Sequence, residues 1–136
     1  GARLGFAIAN EGLIGDLEKI KYSTNPYNIN RLSLIAGERA IDSDSYYFDH
    51  CKDIIEAREY TVTELKKRGF NLTDSYANFV FAKHERVGGE ELYLELKKRG
   101  VLVRHFSKEI IKDYNRITIG TKEQMAALIS AIDSIL

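Results

Sequence analysis

A long stretch of apolar residues at helical spacing largely determines how this chain can fold. The stretch runs from about Tyr47 to Leu65 and predicts a helix of about six turns. It ends in Lys-Lys-Arg-Gly at Gly69, where basic side chains suit the negative helix end and glycine suits a left-handed cap. The same Glu-Leu-Lys-Lys-Arg-Gly sequence ends at Gly100. Because the residues flanking the two copies differ, we interpret them as two helices that stop by one mechanism, not as a duplicated unit.

Short strand-like segments follow the long helix and alternate with further helices. They are rich in β-branched or aromatic residues and comprise Asn78–Ala82, Val101–Arg104 and Arg116–Ile119. The last helix opens with a Thr-x-x-Gln capping box at Thr121. From Asp44 onward the order is therefore helix, strand, helix, strand, strand, helix. This order predicts an α+β fold in which helices cover a short sheet.

Residues 1–43 read as part of a different unit from residues 44–136. Leu4 to Ala9 alternates large apolar side chains with glycine and alanine, which predicts a strand with one nearly bare face. Such a strand needs a close neighbour. Two amphipathic helices are predicted after it, over about Glu11–Lys21 and Ile29–Asp42. We therefore expect this chain to be a piece of a longer protein, with an exposed apolar strand that favours self-association.

The charge balance and the lengths of the apolar runs argue against nucleic acid and membranes as partners. Twenty basic residues balance twenty acidic ones, which argues against a nucleic-acid-binding protein. No apolar run approaches the roughly 18 residues that span a bilayer, and residues 1–10 lack the features of a signal peptide. A single cysteine, Cys51, fits a reducing cytoplasm and lies on the apolar stripe of the long helix, which predicts a buried thiol. We therefore expect a cytoplasmic protein that binds neither membranes nor nucleic acid.

The three histidines do not indicate a metal site. His50, His84 and His105 are scattered, and no histidine or cysteine pair has the spacing of metal ligands. His84 lies in a charged turn and is predicted to be solvated. His50, beside the apolar stripe of the long helix, is predicted to pack or to lie on the surface.

Arginines at strand ends carry more information. Alternation places Arg116 and Thr118 on one face of a strand, where the planar guanidinium can bind a carboxylate. Arg104 ends an otherwise apolar strand, and Arg3 precedes the strand with the bare face. At each single position an ordinary surface arginine is the favoured interpretation, and only the three arginines taken together, at strand ends, indicate anion binding.

Four segments, taken in order, resemble the fold-type I aminotransferases that depend on pyridoxal 5'-phosphate (PLP). Gly1-Ala2-Arg3-Leu4-Gly5-Phe6 is similar to the segment that follows the Schiff-base lysine of that family. Ser75-x-Ala77-Asn78-Phe79 is similar to the segment at the start of a small-domain strand. Gly100–Arg104 and Arg116–Thr121 match the two arginine segments of histidinol-phosphate aminotransferases. The resemblance covers the whole chain and implies the carboxy-terminal small domain, preceded by a strand and two helices of the large domain.

This resemblance implies a role for several residues. Arg3 would hold the phosphate of PLP. Arg116 would bind the substrate's carboxylate or phosphate, Arg104 would be its second anion-binding partner, and Asn78 would shape the same pocket. The Asn25–Asn28 loop would approach the active site of the other subunit in a homodimer, with a structural turn as the alternative. The implied reaction is amino transfer between histidinol phosphate and 2-oxoglutarate in histidine biosynthesis.

The resemblance also implies that essential groups lie outside this chain. In the family, the Schiff-base lysine, the aspartate at the pyridine nitrogen and the aromatic stacking partner all precede the position of Gly1. We therefore assign no catalytic residue and expect this chain alone to be inactive and not to retain PLP. The alternatives are a related transaminase, an enzyme like threonine-phosphate decarboxylase, or a non-enzymatic α+β module for dimerisation or anion binding.

Overall fold

A computed structural model describes residues 3–136 as two compact units, which divide between Phe48 and Asp49. The elements, in chain order, are α1 (Glu11–Thr24), α2 (Arg31–Asp42), α3 (Asp44–Lys67), β1 (Phe70–Leu72), β2 (Phe79–His84), α4 (Gly89–Lys98), β3 (Arg104–His105), β4 (Asn115–Thr118) and α5 (Lys122–Asp133). The division therefore falls inside α3, close to the sequence-based boundary at residues 43 and 44. The assignment of residues 1–43 to a large PLP-binding domain stays a prediction.

The first unit contains the two predicted amphipathic helices. Asn10 and Asn30 cap them, since each side-chain oxygen accepts a backbone N–H from the first turn, at 2.9 Å in both cases. Neither helix has a buried residue. Their apolar faces are therefore uncovered within the described chain.

The predicted strand over residues 4–9 does not form. Residues 3–10 have no regular secondary structure, and Phe6 and Ile8 are 80% and 89% exposed. A strand is stabilised by hydrogen bonds to a neighbouring strand, and the sheet in residues 3–136 consists of β1 to β4, all in the second unit. The sequence does alternate large and small side chains as a strand would, but within the described chain no strand pairs with these residues.

The second unit is a four-stranded antiparallel sheet, in the order β1-β2-β4-β3, with helices on one face. Alternate residues of β2 and β4 point into the core, among them the fully buried Val80 and Ala82 and the nearly buried Ile117. They belong to one hydrophobic cluster with residues from the helices, namely Ala57, Leu65, Leu92, Leu96, Met125, Leu128, Ile129 and Ile132. The opposite face of the sheet is therefore the one left for a functional site.

One strand was not predicted, and another is shorter than predicted. β1 was not predicted, because three residues directly after the Gly69 turn are too few to show alternation. β3 consists of Arg104 and His105 alone, so Val101–Val103 lies outside the strand predicted to contain it. The predicted strands over 78–82 and 116–119 are confirmed as β2 and β4 with small shifts in their ends.

Two side chains lie in environments opposite to those predicted. Cys51 is exposed, because only Ala57, Thr61 and Leu65 of α3 are buried and nothing in the described chain covers the first half of its apolar stripe. His84 is 7% exposed instead of solvated. The residue ends β2 on its core-facing side, and its ring nitrogens meet backbone groups of the neighbouring turns.

Candidate anion-binding site

Arg104 and Arg116 are direct neighbours across two strands. They are register partners in the antiparallel β3–β4 pair, so both side chains leave the same face of the sheet. This is the face opposite the helices, because Ile117 beside Arg116 is buried in the core while Arg116 itself is exposed. The structure thus brings together two of the predicted anion-binding residues.

Aromatic rings support both guanidinium groups. The Arg116 guanidinium lies 5.5 Å from the centre of the Phe79 ring, and the Arg104 guanidinium lies 5.5 Å from the centre of the Phe106 ring. Phe81, the register partner of Arg116 on β2, lies edge-on to Phe106 at 6.0 Å. Cation–π contacts of this kind orient a guanidinium without occupying its N–H donors. The role of these rings was not predicted from the sequence, although strand alternation places Phe79 and Phe81 on the same face.

Neither guanidinium of the pair is neutralised within the described chain. Arg39, Arg68 and Arg99 each form a salt bridge with a carboxylate, whereas Arg104 and Arg116 form none with any group of residues 3–136. Two adjacent like charges repel each other, and a bound anion removes that repulsion. Two planar groups with several N–H donors each match the oxygen geometry of a carboxylate or a phosphate.

Asn78 lies immediately before β2 in a turn held by hydrogen bonds. Its carbonyl accepts the Ile119 N–H at 2.9 Å, and the neighbouring Ala77 carbonyl accepts a bond from Arg58 at 2.8 Å. The Ser75 hydroxyl donates to the Phe79 carbonyl and accepts the Ala77 N–H. Asn78 is exposed at the end of the strand that carries Phe79. Its contribution to the pocket stays a prediction.

Arg3 belongs to the first unit. It is exposed, has a positive φ of 58°, and forms no salt bridge with any residue that the structure describes. With Gly5, Gly37 and Tyr47 it lines an open concavity of about 690 Å³. A free guanidinium at the rim of such a concavity fits a phosphate group, and its role toward PLP stays a prediction.

The described residues contain neither a metal-binding cluster nor a membrane-spanning helix. Between residues 3 and 136, no group of three or more histidine, cysteine, aspartate or glutamate side chains is arranged to hold a metal ion. None of the helices in the described part of the chain combines the length and the apolar character needed to cross a bilayer.

A sheet with one helix-covered face and a pair of unneutralised arginines on the other defines a small α+β domain with a candidate anion-binding site. The chain belongs to the aminotransferase class I and II family, whose sequence model matches residues 1–132. The predicted resemblance to fold-type I aminotransferases and the predicted α+β fold are therefore confirmed.

Individual relatives agree with this assignment. The histidinol-phosphate aminotransferase of Brachyspira hyodysenteriae is 49% identical over 136 residues, which are 100% of this chain and 38% of that protein. The enzyme of the same name from Chromohalobacter salexigens is 42% identical, over 99% of this chain and 38% of its own length. This chain thus spans a little over a third of the length of these relatives.

Solved structures show the same fold. The histidinol-phosphate aminotransferase of Clostridium acetobutylicum superposes with a TM-score of 0.77 at 26% identity, over 87% of this chain and 36% of that one. The enzyme from Sinorhizobium meliloti, solved in complex with PLP, gives a TM-score of 0.75 at 17% identity over 90% of this chain and 35% of that one. At that lower identity the likeness concerns the fold alone.

Proposed function

We propose that this chain is the carboxy-terminal part of a cytoplasmic, PLP-dependent histidinol-phosphate aminotransferase that uses 2-oxoglutarate in histidine biosynthesis. Family membership and the names of relatives at 49% and 42% identity support the reaction class and the substrate. The observation that carries the proposal is the cross-strand pair of Arg104 and Arg116, both free of carboxylate partners in the described chain. A module that served dimerisation alone would not require such a pair on an open sheet face.

The pair suits a phosphate-bearing substrate. A carboxylate carries one negative charge and is satisfied by one bidentate guanidinium, whereas a phosphate dianion can accept hydrogen bonds from two. Arg116 would donate to the anion as the central residue of the face, flanked by Phe79 and by Arg104. Arg104 would donate from the edge strand, with Phe106 behind it. Together they would fix the distal end of the substrate and so orient its reacting end.

The cofactor would be held partly by this chain. When bound, PLP supplies the electron-withdrawing ring that stabilises negative charge at the carbon bearing the substrate's amine. Arg3 would pair with the PLP phosphate. The family resemblance assigns the Schiff-base lysine to no position of this chain, so the isolated chain is expected to be inactive and not to retain PLP.

The first unit suggests how the parent enzyme assembles. Its apolar side chains are largely exposed, and Tyr27 in the Asn25–Asn28 loop is 92% exposed. Large apolar side chains at this level of exposure mark surfaces that another polypeptide covers. We assign these surfaces to the remainder of the parent enzyme and to the second subunit of a homodimer, and the loop to the vicinity of the partner's active site.

Replacement of Arg116 in the full-length enzyme tests the proposal. Arg116→Ala should lower kcat/KM for histidinol phosphate roughly a hundredfold, or about 3 kcal/mol of transition-state binding, because a charged contact to the substrate is lost. Steady-state kinetics with the purified enzyme would measure this loss. Arg86→Ala is the matched control, since Arg86 is also exposed and forms no salt bridge within residues 3–136. A loss of less than about threefold for Arg116→Ala would refute the assignment.

A further inference from the structure

The arginine pair depends on a very short strand for its placement. β3 is two residues long, and its pairing with β4 consists of Arg104 with Arg116 and His105 with Asn115. So short a ladder fixes register weakly, and cross-strand side-chain contacts must contribute. His105 follows Arg104 on β3, and its register partner Asn115 precedes Arg116 on β4. Both side chains therefore leave the opposite face of the sheet from the arginines.

Asn115 ties β4 to the start of α4. It is completely buried, and its side-chain nitrogen donates to the Gly89 carbonyl at 2.8 Å. Gly89, the first residue of α4, packs so closely that a Cβ there would collide with the Lys112 and Asp113 backbone. The start of α4 is thus seated directly against the segment that leads into β4, with the Asn115 amide closing the contact.

His105 ties β3 to the same helix. Its imidazole stacks on the Tyr93 ring, with the ring centres 6.0 Å apart and the planes 22° apart. Tyr93 follows Gly89 by four residues, so both lie on one face of α4. One helix therefore contacts both strands of the arginine pair, through Asn115 on β4 and through His105 on β3.

Two polar atoms in this layer are buried and lack a partner within residues 3–136. They are His105 Nδ1 and Asn115 Oδ1. Leaving buried polar atoms unpaired is costly, so such atoms in folded proteins normally have a hydrogen-bond partner. Both belong to described residues and no hydrogen bond joins these two atoms, so the two strands are held by the contacts of Asn115 with Gly89 and of His105 with Tyr93.

We propose that His105 and Asn115 are positioning residues for the anion-binding pair. Through their contacts with Gly89 and Tyr93 of α4, they hold β3 and β4 so that both guanidinium groups reach one phosphate. They act from the far face of the sheet and do not touch the substrate. This inference rests on the proposed function, because it assumes that Arg104 and Arg116 bind the substrate's phosphate.

The test compares a phosphorylated with an unphosphorylated substrate in the full-length aminotransferase. Asn115→Leu, which removes the bond to the Gly89 carbonyl, and His105→Ala, which removes the ring from Tyr93, should each lower kcat/KM for histidinol phosphate about ten- to a hundredfold, chiefly through KM, because a shift of about 1 Å misaligns the arginines. The same variants should change kcat/KM for histidinol less than about threefold, since histidinol has no phosphate to misplace. If Asn115→Leu does not fold, His105→Ala carries the test, and His105→Phe, which keeps a ring against Tyr93, should stay within about threefold of the unaltered enzyme.

Two reference variants distinguish failure of the positioning role from failure of the proposed function. Thr61→Val removes another fully buried polar group, whose hydroxyl donates to the Ala57 carbonyl within α3, and should leave the ratio of the two kcat/KM values unchanged. If the His105 and Asn115 variants affect both substrates equally, as a general loss of stability would, the positioning role is wrong. If Arg116→Ala itself leaves the ratio unchanged, the proposed function is wrong and the inference falls with it.

Discussion

The His84 side chain joins two turns that the fold requires. Its Nε2 lies 3.0 Å from the Arg68 carbonyl and therefore donates to it, while its Nδ1 accepts the Arg86 N–H at 3.3 Å. The ring also packs against Phe70, with centres 4.9 Å apart. One neutral imidazole thus satisfies a donor and an acceptor of the main chain at the ends of α3 and β2.

Removal of this imidazole should destabilise the fold. His84→Ala is expected to lower the free energy of unfolding by about 2 kcal/mol, because it leaves backbone groups unpaired and opens a small cavity. Chemical denaturation of the full-length enzyme, with the transition of this domain followed, would measure the change. His50→Ala is the control, since the His50 side chain is 55% exposed, and should cost less than about 0.5 kcal/mol. Equal effects of the two substitutions would contradict this account of His84.

The repeated Glu-Leu-Lys-Lys-Arg-Gly sequence forms the same contacts at the ends of α3 and α4. Arg68 donates to the carbonyl of Glu64 at 2.9 Å and to its carboxylate at 2.7 Å, and Arg99 does so to Glu95 at 2.9 and 2.6 Å. The glycine after each arginine has φ near +80°, as a left-handed cap requires. The interpretation of a shared stopping mechanism is therefore confirmed.

Each of these helix ends also holds the end of α5. Arg68 binds the Asp133 carboxylate through two nitrogens, one of them at 2.8 Å, and Arg99 donates to the Ser134 hydroxyl at 2.9 Å. The last helix is therefore held by one arginine from each copy of the sequence. We call Arg68, Arg99 and their carboxylate partners the arginine clasps.

The arginine clasps should make stability fall in acid. Hydrogen bonds from Lys67 and Arg68 lower the pKa of Glu64, those from Lys98 and Arg99 lower the pKa of Glu95, and those from Arg68 lower the pKa of Asp133. A carboxylate whose pKa is lower in the folded state stabilises it fully above the unfolded pKa. That contribution is lost as the pH falls through the folded value.

The free energy of unfolding should therefore decrease as the pH falls below about 5, and the decrease should be smaller in the triple variant Glu64→Gln, Glu95→Gln, Asp133→Asn. Denaturant titrations of the full-length enzyme at several pH values would show this. Glu59→Gln, at an exposed position of α3 without a salt bridge in the described chain, should leave the pH dependence unaltered. An unchanged pH profile in the triple variant would rule out a contribution from the clasps.

At the scale of the whole molecule, the order of helices and strands in residues 44–136 was predictable from periodicity and caps. Periodicity reveals which face of an element is apolar, but not whether another element covers it. Residues 4–9 and Cys51 were mispredicted for this reason, because their apolar faces have no partner in the described chain. The burial of His84 was missed because it depends on Arg68 and Arg86 backbone groups that only the folded turns bring near.

For the candidate site too, the sequence predicted the positions of single residues but not which of them become neighbours. Alternation indicated the face of Arg116, and the position of Arg104 at a strand end indicated an accessible side chain. The β3–β4 register, which makes them neighbours, depends on contacts with α4 that local sequence patterns do not encode. The supporting rings and the His105–Asn115 layer follow from that register and were therefore not assigned.

The central claim is that Arg104 and Arg116 bind one anion together, and a double-mutant cycle tests it most directly. In the full-length enzyme, kcat/KM for histidinol phosphate would be measured for Arg104→Ala, Arg116→Ala and the double variant. Two arginines on one phosphate should show a coupling free energy of about 1 kcal/mol or more, with the double variant losing less than the two single losses combined. Single losses that add to within about 0.5 kcal/mol would mean that the two side chains act independently, which would contradict the account.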